Sequence, residues 1–372
     1  MVTVFLGSAR RILRAFYICA TLYLLYIICL KRFSLEEQQS PQKSKEKYTE
    51  VPIPSIYLQN IPNLTPHTFR YLLEPDYDVA CGISRNGKAR YRRDLVNFSP
   101  PTDEPRKEQV IGTGRRRNNR PLLVLFLIHS KANHFKHRRV IRKTWGSVGK
   151  RLSKMVFLLG NPQNKTLQSL LQSENKLYGD ILQEDFYETY RNITLKAIMA
   201  LKWASLYCPR AAIVTKADDD MFVGTMAIIS NIIKGWFVLK AIPRRKLLLC
   251  KPVFNGPVLR EGKYAVSQSL YSVTTWPPFC FGGCWMASND VIKKLYEISL
   301  MTPQIHLDDV YVTGILRTKI GQGLQRVANS KILFCHGRGD PDLVWTWWNV
   351  TQDTTNYFKT FKGREKIMDC FL

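Results

Sequence analysis

Acidic side chains are scarce. Asp and Glu number 29 against 55 Lys and Arg in 372 residues, a formal net charge of +26 with histidine neutral. That imbalance points to anionic partners: nucleic acid, a membrane surface or a phosphorylated substrate. No nucleic-acid-binding module is recognisable, so charge alone does not make this a nucleic-acid binder. No internal repeat is visible, which excludes a solenoid or a propeller. No second cysteine pair follows Cys280-x-x-x-Cys284 at zinc-site spacing, so that half-motif is not read as a metal centre. What is present is a core: 45% apolar and 12% aromatic residues are enough to bury one large domain and exclude a disordered chain. With so few acids, any tight cluster of carboxylates is self-repelling and needs a reason.

The longest apolar stretch lies near the N-terminus. Residues 15–30 (AFYICATLYLLYIICL) carry no charge and are flanked by Arg10, Arg11 and Arg14 on one side and Lys31 and Arg32 on the other. Snorkelling basic flanks and a thin bilayer let such a run span a membrane. It reads as a signal anchor with a short cytoplasmic tail at 1–14. A cleaved signal peptide is the rival, but a small-x-small cleavage site is missing after the run. Asn-x-Ser/Thr sequons downstream, at Asn63, Asn97, Asn164, Asn192 and Asn349, fit a luminal chain. Pro66 and Pro100 directly follow the first two, which leaves Asn164, Asn192 and Asn349 as the expected glycosylation sites. Seven cysteines beyond the anchor imply up to three bridges and one unpaired thiol, with connectivity open.

Between Lys31 and Arg120 lie nine of the nineteen prolines, together with runs of charge. Such sequence buries too little apolar surface to offset its ordering entropy, so 31–68 is expected to be a stem. An exposed insertion is expected at 84–118, inside a catalytic domain spanning 69–372. At Pro121 the texture changes. LLVLFLIH (122–129) is a strand buried on both faces, His134 to Trp145 a basic helix, Lys154 to Gly160 a second strand and Thr166 to Lys176 a second helix. Alternation of this kind gives an α/β domain with a parallel sheet.

The acids that do occur are concentrated. The strand Ala211 to Thr215 runs into Lys216-Ala217-Asp218-Asp219-Asp220, placing three carboxylates at the C-terminal end of a parallel strand, where open α/β sheets bind ligands. A hard divalent ion completed by substrate phosphates would compensate them, which implies a nucleotide diphosphate donor. The competing reading is an N-cap on a following helix, but a cap needs one acid and here there are three. Asp308-Asp309 precedes another apolar helical start. Capping and a role as general base for an acceptor hydroxyl stay equally open there. Tyr271 to Trp285 (YSVTTWPPFCFGGCW), with paired prolines and glycines among aromatics, suits either a sugar-contacting loop or a buried hydrophobic one.

These segments resemble, in order, the β1,3-galactosyltransferases and β1,3-N-acetylglucosaminyltransferases. The resemblance rests on Arg138-Arg139-Val140-Ile141-Arg142-Lys143-Thr144-Trp145-Gly146, Phe157-Leu158-Leu159-Gly160, Asp185-Phe186 with Tyr190 to Lys196, Lys216 to Val223, Trp276 to Ser288, and Asp308-Asp309-Val310-Tyr311-Val312. It implies an A-type glycosyltransferase fold, that is, a Rossmann-like, mixed but mostly parallel sheet flanked by helices, in a type II Golgi membrane protein with a luminal catalytic domain. It also implies Mn²⁺, a UDP-sugar donor, a glycan acceptor on glycoprotein or glycolipid, and inversion to a β1,3 linkage. Carried over by position, Asp309 is the candidate base and Asp220 a metal ligand, with His336 as its second. Arg139, Arg142, Lys216, Asp218 and Asp219 would lie at the nucleotide, and Trp276, Gly282, Gly283 and Asp308 at the sugars. Ala217, Met221, Gly224 and Cys284-Trp285 depart from the family's usual residues. Galactose and N-acetylglucosamine both remain open as donors, and a catalytically silent carbohydrate-binding relative is the alternative function.

Overall fold

The computed structural model describes residues 53–60, 64, 66–81, 122–234, 245–326, 334–352 and 370–371. The run that reads as a doubly buried strand is one. Strand β2 (Val124–His129), following β1 (Tyr71–Leu73), is buried at every residue. Its side chains alternate between two cores: Leu125 and Leu127 enter one hydrophobic cluster, while Val124, Phe126 and Ile128 enter the other. β2 pairs in parallel with β3 (Ser153–Asn161) and β5 (Ile213–Asp218), and β3 pairs in parallel with β4 (Ile181–Tyr187). Short β6 (Met221–Val223) follows β5 directly. Then β7 (Leu248–Val253) and β8 (Phe279–Ser288) add antiparallel neighbours, and β9 (Gln325–Arg326) closes the order β1-β4-β3-β2-β5-β8-β7-β9.

Helices α1 (Phe135–Lys143), α2 (Lys165–Tyr178) and α3 (Ile193–Tyr207) connect the parallel strands. Ile141 of α1 joins α4 (Thr225–Lys234) in one cluster. Ile198 and Trp203 of α3 join α5 (Asn289–Ser299) in the other, so the helices cover both faces of a mixed, mostly parallel sheet. A second sheet places β10 (Phe334–His336) between β6 and β11 (Cys370–Phe371), with α6 (Pro341–Gln352) between β10 and β11 in the chain. Register pairs His336 with Met221 and Cys335 with Phe222. The sheet thereby brings a distant part of the chain alongside the acidic triplet.

Several expectations change. β5 continues through Lys216 to Asp218 rather than stopping at Thr215, and Met221–Val223 is a strand, so Asp220 caps no helix. The segment expected to be a sugar-contacting loop contains β8, inside the main sheet, with Trp285 opposite Lys216. The expected stem ends too late. Ile53, Tyr57 and His67 are buried, Tyr57 donates its hydroxyl hydrogen to the Leu270 carbonyl at 3.0 Å, and His67 pairs with Glu184. Apolar and ion-paired side chains anchor this stretch, despite its prolines. The membrane anchor at 15–30, the tail at 1–14 and the insertion at 84–118 lie outside the described residues. Among the described residues no helix is long and apolar enough to cross a membrane.

Disulfides join Cys81 to Cys208 and Cys250 to Cys280. Cys335 is also oxidised, and register sets it opposite Cys370. Among the described residues Cys284 is the free thiol, and it is buried. Bridging Cys280 to Cys250 rules out a zinc role for the 280/284 pair.

Arg138, with no exposed surface, donates to both oxygens of Glu174 (2.7–3.2 Å) and to the carbonyls of Lys131 and Ala132. Arg142 donates to Glu174 and, through two bonds of 2.7 and 2.8 Å, to Asp180. Burial pushes the Glu174 carboxyl up, and the two guanidiniums outweigh it, holding it below its ordinary range. Replacing Arg138 with Met should destabilise the fold by about 3 kcal/mol, because a buried carboxylate loses half its compensation. A lowered midpoint in urea denaturation checks this, and an unchanged midpoint rejects it.

Candidate active site

The carboxyl ends of β2 and β5 lie side by side, His129 opposite Asp218, and above them opens a cavity of about 620 Å³. Its lining includes Ser130, His134, Glu188, Tyr190, Lys196, Lys263 and all three aspartates of the triplet. The volume lies in the range of small-molecule sites, and the placement is where doubly wound sheets hold ligands.

The three aspartates diverge, and each has its own partner. Asp218 accepts from the Lys216 ammonium at 2.6 Å. Asp219 accepts from Ser130 Oγ at 2.6 Å and lies 2.9 Å from His134 Nδ1. Asp220 accepts the Gly339 backbone N–H at 2.8 Å, with His336 Nε2 at 3.5 Å. The crowding that suggested a bridging cation is therefore relieved in large part by protein groups. Burial and the neighbouring acids push Asp218 up despite Lys216, whereas the hydrogen bonds to Asp219 overcome burial and hold it down.

Lys216 is the electrostatic centre. Its buried ammonium bonds Asp218 and the Gly282 carbonyl and lies 3.7 Å from Asp308. Desolvation opposes its charge, but Asp218 and Asp308 outweigh that and raise its pKa. Asp309 begins a π-helix, Val310–Leu316, a rare form that gathers at functional sites. Its Oδ1 accepts the Val310 N–H at 2.8 Å. A methyl group added to Gly282 would sit 3.0 Å from its Oδ2, and one on Gly283 would press on Phe281 and Met221. The paired glycines thus let β8 approach Asp309 and β10 closely. Capping and availability coexist at Asp309, one oxygen for each. Burial is the main cause that drives both Asp308 and Asp309 upward, with Lys216 opposing it.

Other expected site residues are placed elsewhere. Arg139 is exposed on α1, and Arg142 is spent on Glu174 and Asp180 at a separate, smaller cavity. Neither lines the main cavity, because α1 turns Arg138 inward instead. Trp276 is 3% exposed and packs on Tyr271 at 4.4 Å between centroids, so its face is not open to a sugar. Asn164 and Asn349 are exposed, while Asn192 is partly buried and its amide nitrogen donates to the Tyr187 carbonyl at 2.9 Å.

Sequence reasoning gave no role to four groups here. Arg138 holds Ser130 Oγ at 3.1 Å. Lys196 bonds the Ser130 carbonyl and, at 2.7 Å, Glu188. His129 is buried 3.7 Å from Asp308, with both ring nitrogens unpartnered among the described residues, and burial together with Lys216 and Lys196 keeps it neutral. His134 stands at the cavity wall. The one sequence signal for them is position, at the carboxyl end of a buried strand or in the helix that follows one.

A model for galactosyltransferases matches residues 136–327, just over half the chain. Beta-1,3-galactosyltransferase 1 of Mus musculus is 34% identical over 208 residues, 55% of this chain and 62% of that protein. Lactosylceramide 1,3-N-acetyl-beta-D-glucosaminyltransferase of Rattus norvegicus is 28% identical over 271 residues, 70% of this chain and 67% of its own. This chain thus spans a little over three-fifths of the length of the galactosyltransferase it matches. Among solved structures, the apo WbbM bifunctional glycosyltransferase aligns over 58% of this chain and 40% of its own at 10% identity, with a TM-score of 0.33, too low for any argument. With the end of the first long strand and the acidic triplet at one cavity, Asp308 within 3.7 Å of His129 and Lys216, and the family model covering the triplet and the Asp308-Asp309 segment, the chain belongs to the galactosyltransferase family.

Proposed function

We propose that the chain is an inverting β1,3-hexosyltransferase of the A-type glycosyltransferase fold, moving galactose or N-acetylglucosamine from a UDP-sugar to a 3-hydroxyl of a glycan. In this reading it acts in the Golgi lumen behind its N-terminal anchor. The relatives' names support the linkage and leave both donors open. The observation that carries the reading is the Asp309 carboxylate, fixed through Oδ1 by the Val310 N–H and with Oδ2 set beside the glycine backbone of β8. A base held in this way can take the acceptor's proton as its oxygen attacks the anomeric carbon. Lys216 keeps the paired carboxylates ionisable, and Lys263 adds positive charge at the cavity for a diphosphate, whereas Lys196 is already paired with Glu188.

Mn²⁺ is the ion this reading carries, and the donor set suits it: Asp220 oxygen and His336 nitrogen, 3.5 Å apart. The Arg338 backbone N–H donates to His336 Nδ1 at 3.0 Å, which puts the neutral ring's proton on Nε2, so Nε2 would ligate once the ring releases that bond and carries its proton on Nδ1 instead. When bound, the ion supplies charge neutralisation for the departing diphosphate.

The test is the purified full-length chain with Mn²⁺, each UDP-sugar and a panel of acceptors, read by product mass and linkage. Transfer of one hexose in a β1,3 bond is expected. UDP binding without turnover on any acceptor would favour the silent relative instead. Two further outcomes follow from the geometry. Asp308 is pushed up to about 7, so transfer should rise with pH as the pair loses its proton near neutrality, and Lys216→Met, which removes the charge favouring ionisation, should move that rise to higher pH. An inflection that stays in place rejects the coupling. Gly282→Ala should lower kcat about tenfold by displacing Asp309 a few tenths of an ångström, with UDP affinity unchanged. Equal losses in both would mean that the strand itself had moved.

A further inference from the structure

At the start of α1 two imidazoles and a carboxylate converge without any role in the mechanism above. Ligand-capable atoms of His134, His137 and Asp219 all lie within 4.8 Å of one another. The histidines are one helical turn apart and their rings stack at 4.1 Å between centroids, 13° from parallel. His134 Nδ1 is 2.9 Å from Asp219 Oδ2, and that carboxylate is steadied by Ser130 Oγ at 2.6 Å.

His137 carries the second, independent observation. Its Nε2 lies 3.0 Å from the Gly339 carbonyl oxygen. A carbonyl only accepts, so the ring proton sits on Nε2 and Nδ1 holds a bare lone pair. That Nδ1 is buried and has no hydrogen-bond partner among the described residues. A ring whose N–H is fixed by a backbone carbonyl and whose other nitrogen is bare is prepared as a metal ligand. His336 is in the opposite state, since its Nδ1 accepts the Arg338 N–H. Nearby Arg138 does not compete for Asp219, because its guanidinium is committed to Glu174.

We propose that His134, His137 and Asp219 form a binding site for a borderline first-row divalent cation, best suited to Zn²⁺ and separate from the Asp220–His336 pair. Two imidazole nitrogens and one carboxylate oxygen are a donor set that zinc takes with a water in the fourth position. The ion replaces the proton between His134 and Asp219, and His134 takes that proton on Nε2. Ligation also opens the ring stack, since each lone pair points in its own ring plane. The His134 side chain is 22% exposed, which leaves room for that turn. The bound ion would tie α1 to the end of β5 at the wall of the cavity.

The test uses the purified full-length chain, stripped with chelator and then titrated with Zn²⁺ alone and with Co²⁺ alone. One equivalent of Zn²⁺ is expected, and Co²⁺ should give the visible ligand-field band of a four-coordinate site. His134→Gln and His137→Gln should each weaken Zn²⁺ binding by about a hundredfold or more, while Asp220→Asn and His336→Gln leave it unchanged. Circular dichroism checks that the variants fold, and the partly exposed His134 carries the test if His137→Gln does not. No stoichiometric Zn²⁺ in the wild type, binding that survives both histidine changes, or binding lost with Asp220→Asn would each overturn the proposal.

Discussion

Asp309→Ala should cut sugar transfer by about two to four orders of magnitude, the scale of a lost general base and roughly 3 to 5 kcal/mol of transition-state stabilisation. The size of this effect follows from how little else is in position to take the acceptor's proton. Asp308 faces the charged Lys216 ammonium at 3.7 Å, and Asp218 is bonded to Lys216. Asp309→Asn is the cleaner variant, since an amide oxygen still accepts the Val310 N–H and keeps the π-helix capped. Both variants should bind UDP as the wild type does. Transfer within a fewfold of wild type in Asp309→Asn would remove Asp309 from the chemistry, and lost UDP binding would recast it as a residue that shapes the pocket.

Asp220→Asn should abolish the response of transfer to Mn²⁺ and reduce turnover by about two to three orders of magnitude, comparable to deleting one preorganised electrostatic contact at a reacting centre. The change is nearly isosteric, and the Gly339 N–H keeps an oxygen to bond, so the loop after β10 should stay in place. His336→Gln is expected to cost less, because its Nε2 already carries a proton in the resting arrangement. Titrating Mn²⁺ against initial rate in the three proteins separates these outcomes. An Asp220→Asn enzyme with an unchanged Mn²⁺ dependence would move the ion elsewhere.

Local chemistry explains which parts of this molecule the sequence discloses. A continuous apolar run such as 124–129 is compatible with little except a strand covered on both faces, and helices at the expected places follow from the need to cover it. β8 was hidden because Pro277-Pro278 and Gly282-Gly283 are turn signals in isolation. The strand placement of the two glycines makes sense only once Asp309 and Met221 are known to lie against their backbone. Tyr57 and His67 were hidden by the polar, proline-bearing sequence around them, since their partners Leu270 and Glu184 are more than a hundred residues away. The carboxylate clusters were legible as unusual. That the triplet's charges are answered one by one, by Lys216, His134 and the Gly339 N–H, was not, because none of those contacts has a sequence period. Arg138 and Arg142 sit four apart on one helix, and only the fold distinguishes both from the outward-facing Arg139.

The central position of β2 sets a limit on how far the molecule can be cut down. The family match begins at residue 136, after β2 has ended, and stops at 327, before β10 begins. A polypeptide trimmed to those bounds would lack the strand that joins β3 to β5, leaving two half-sheets with no hydrogen-bonded seam between them. It would also lack β10, the antiparallel neighbour of β6 that carries His336 to Asp220. The stretch that identifies the lineage is therefore smaller than the smallest piece that could fold and work.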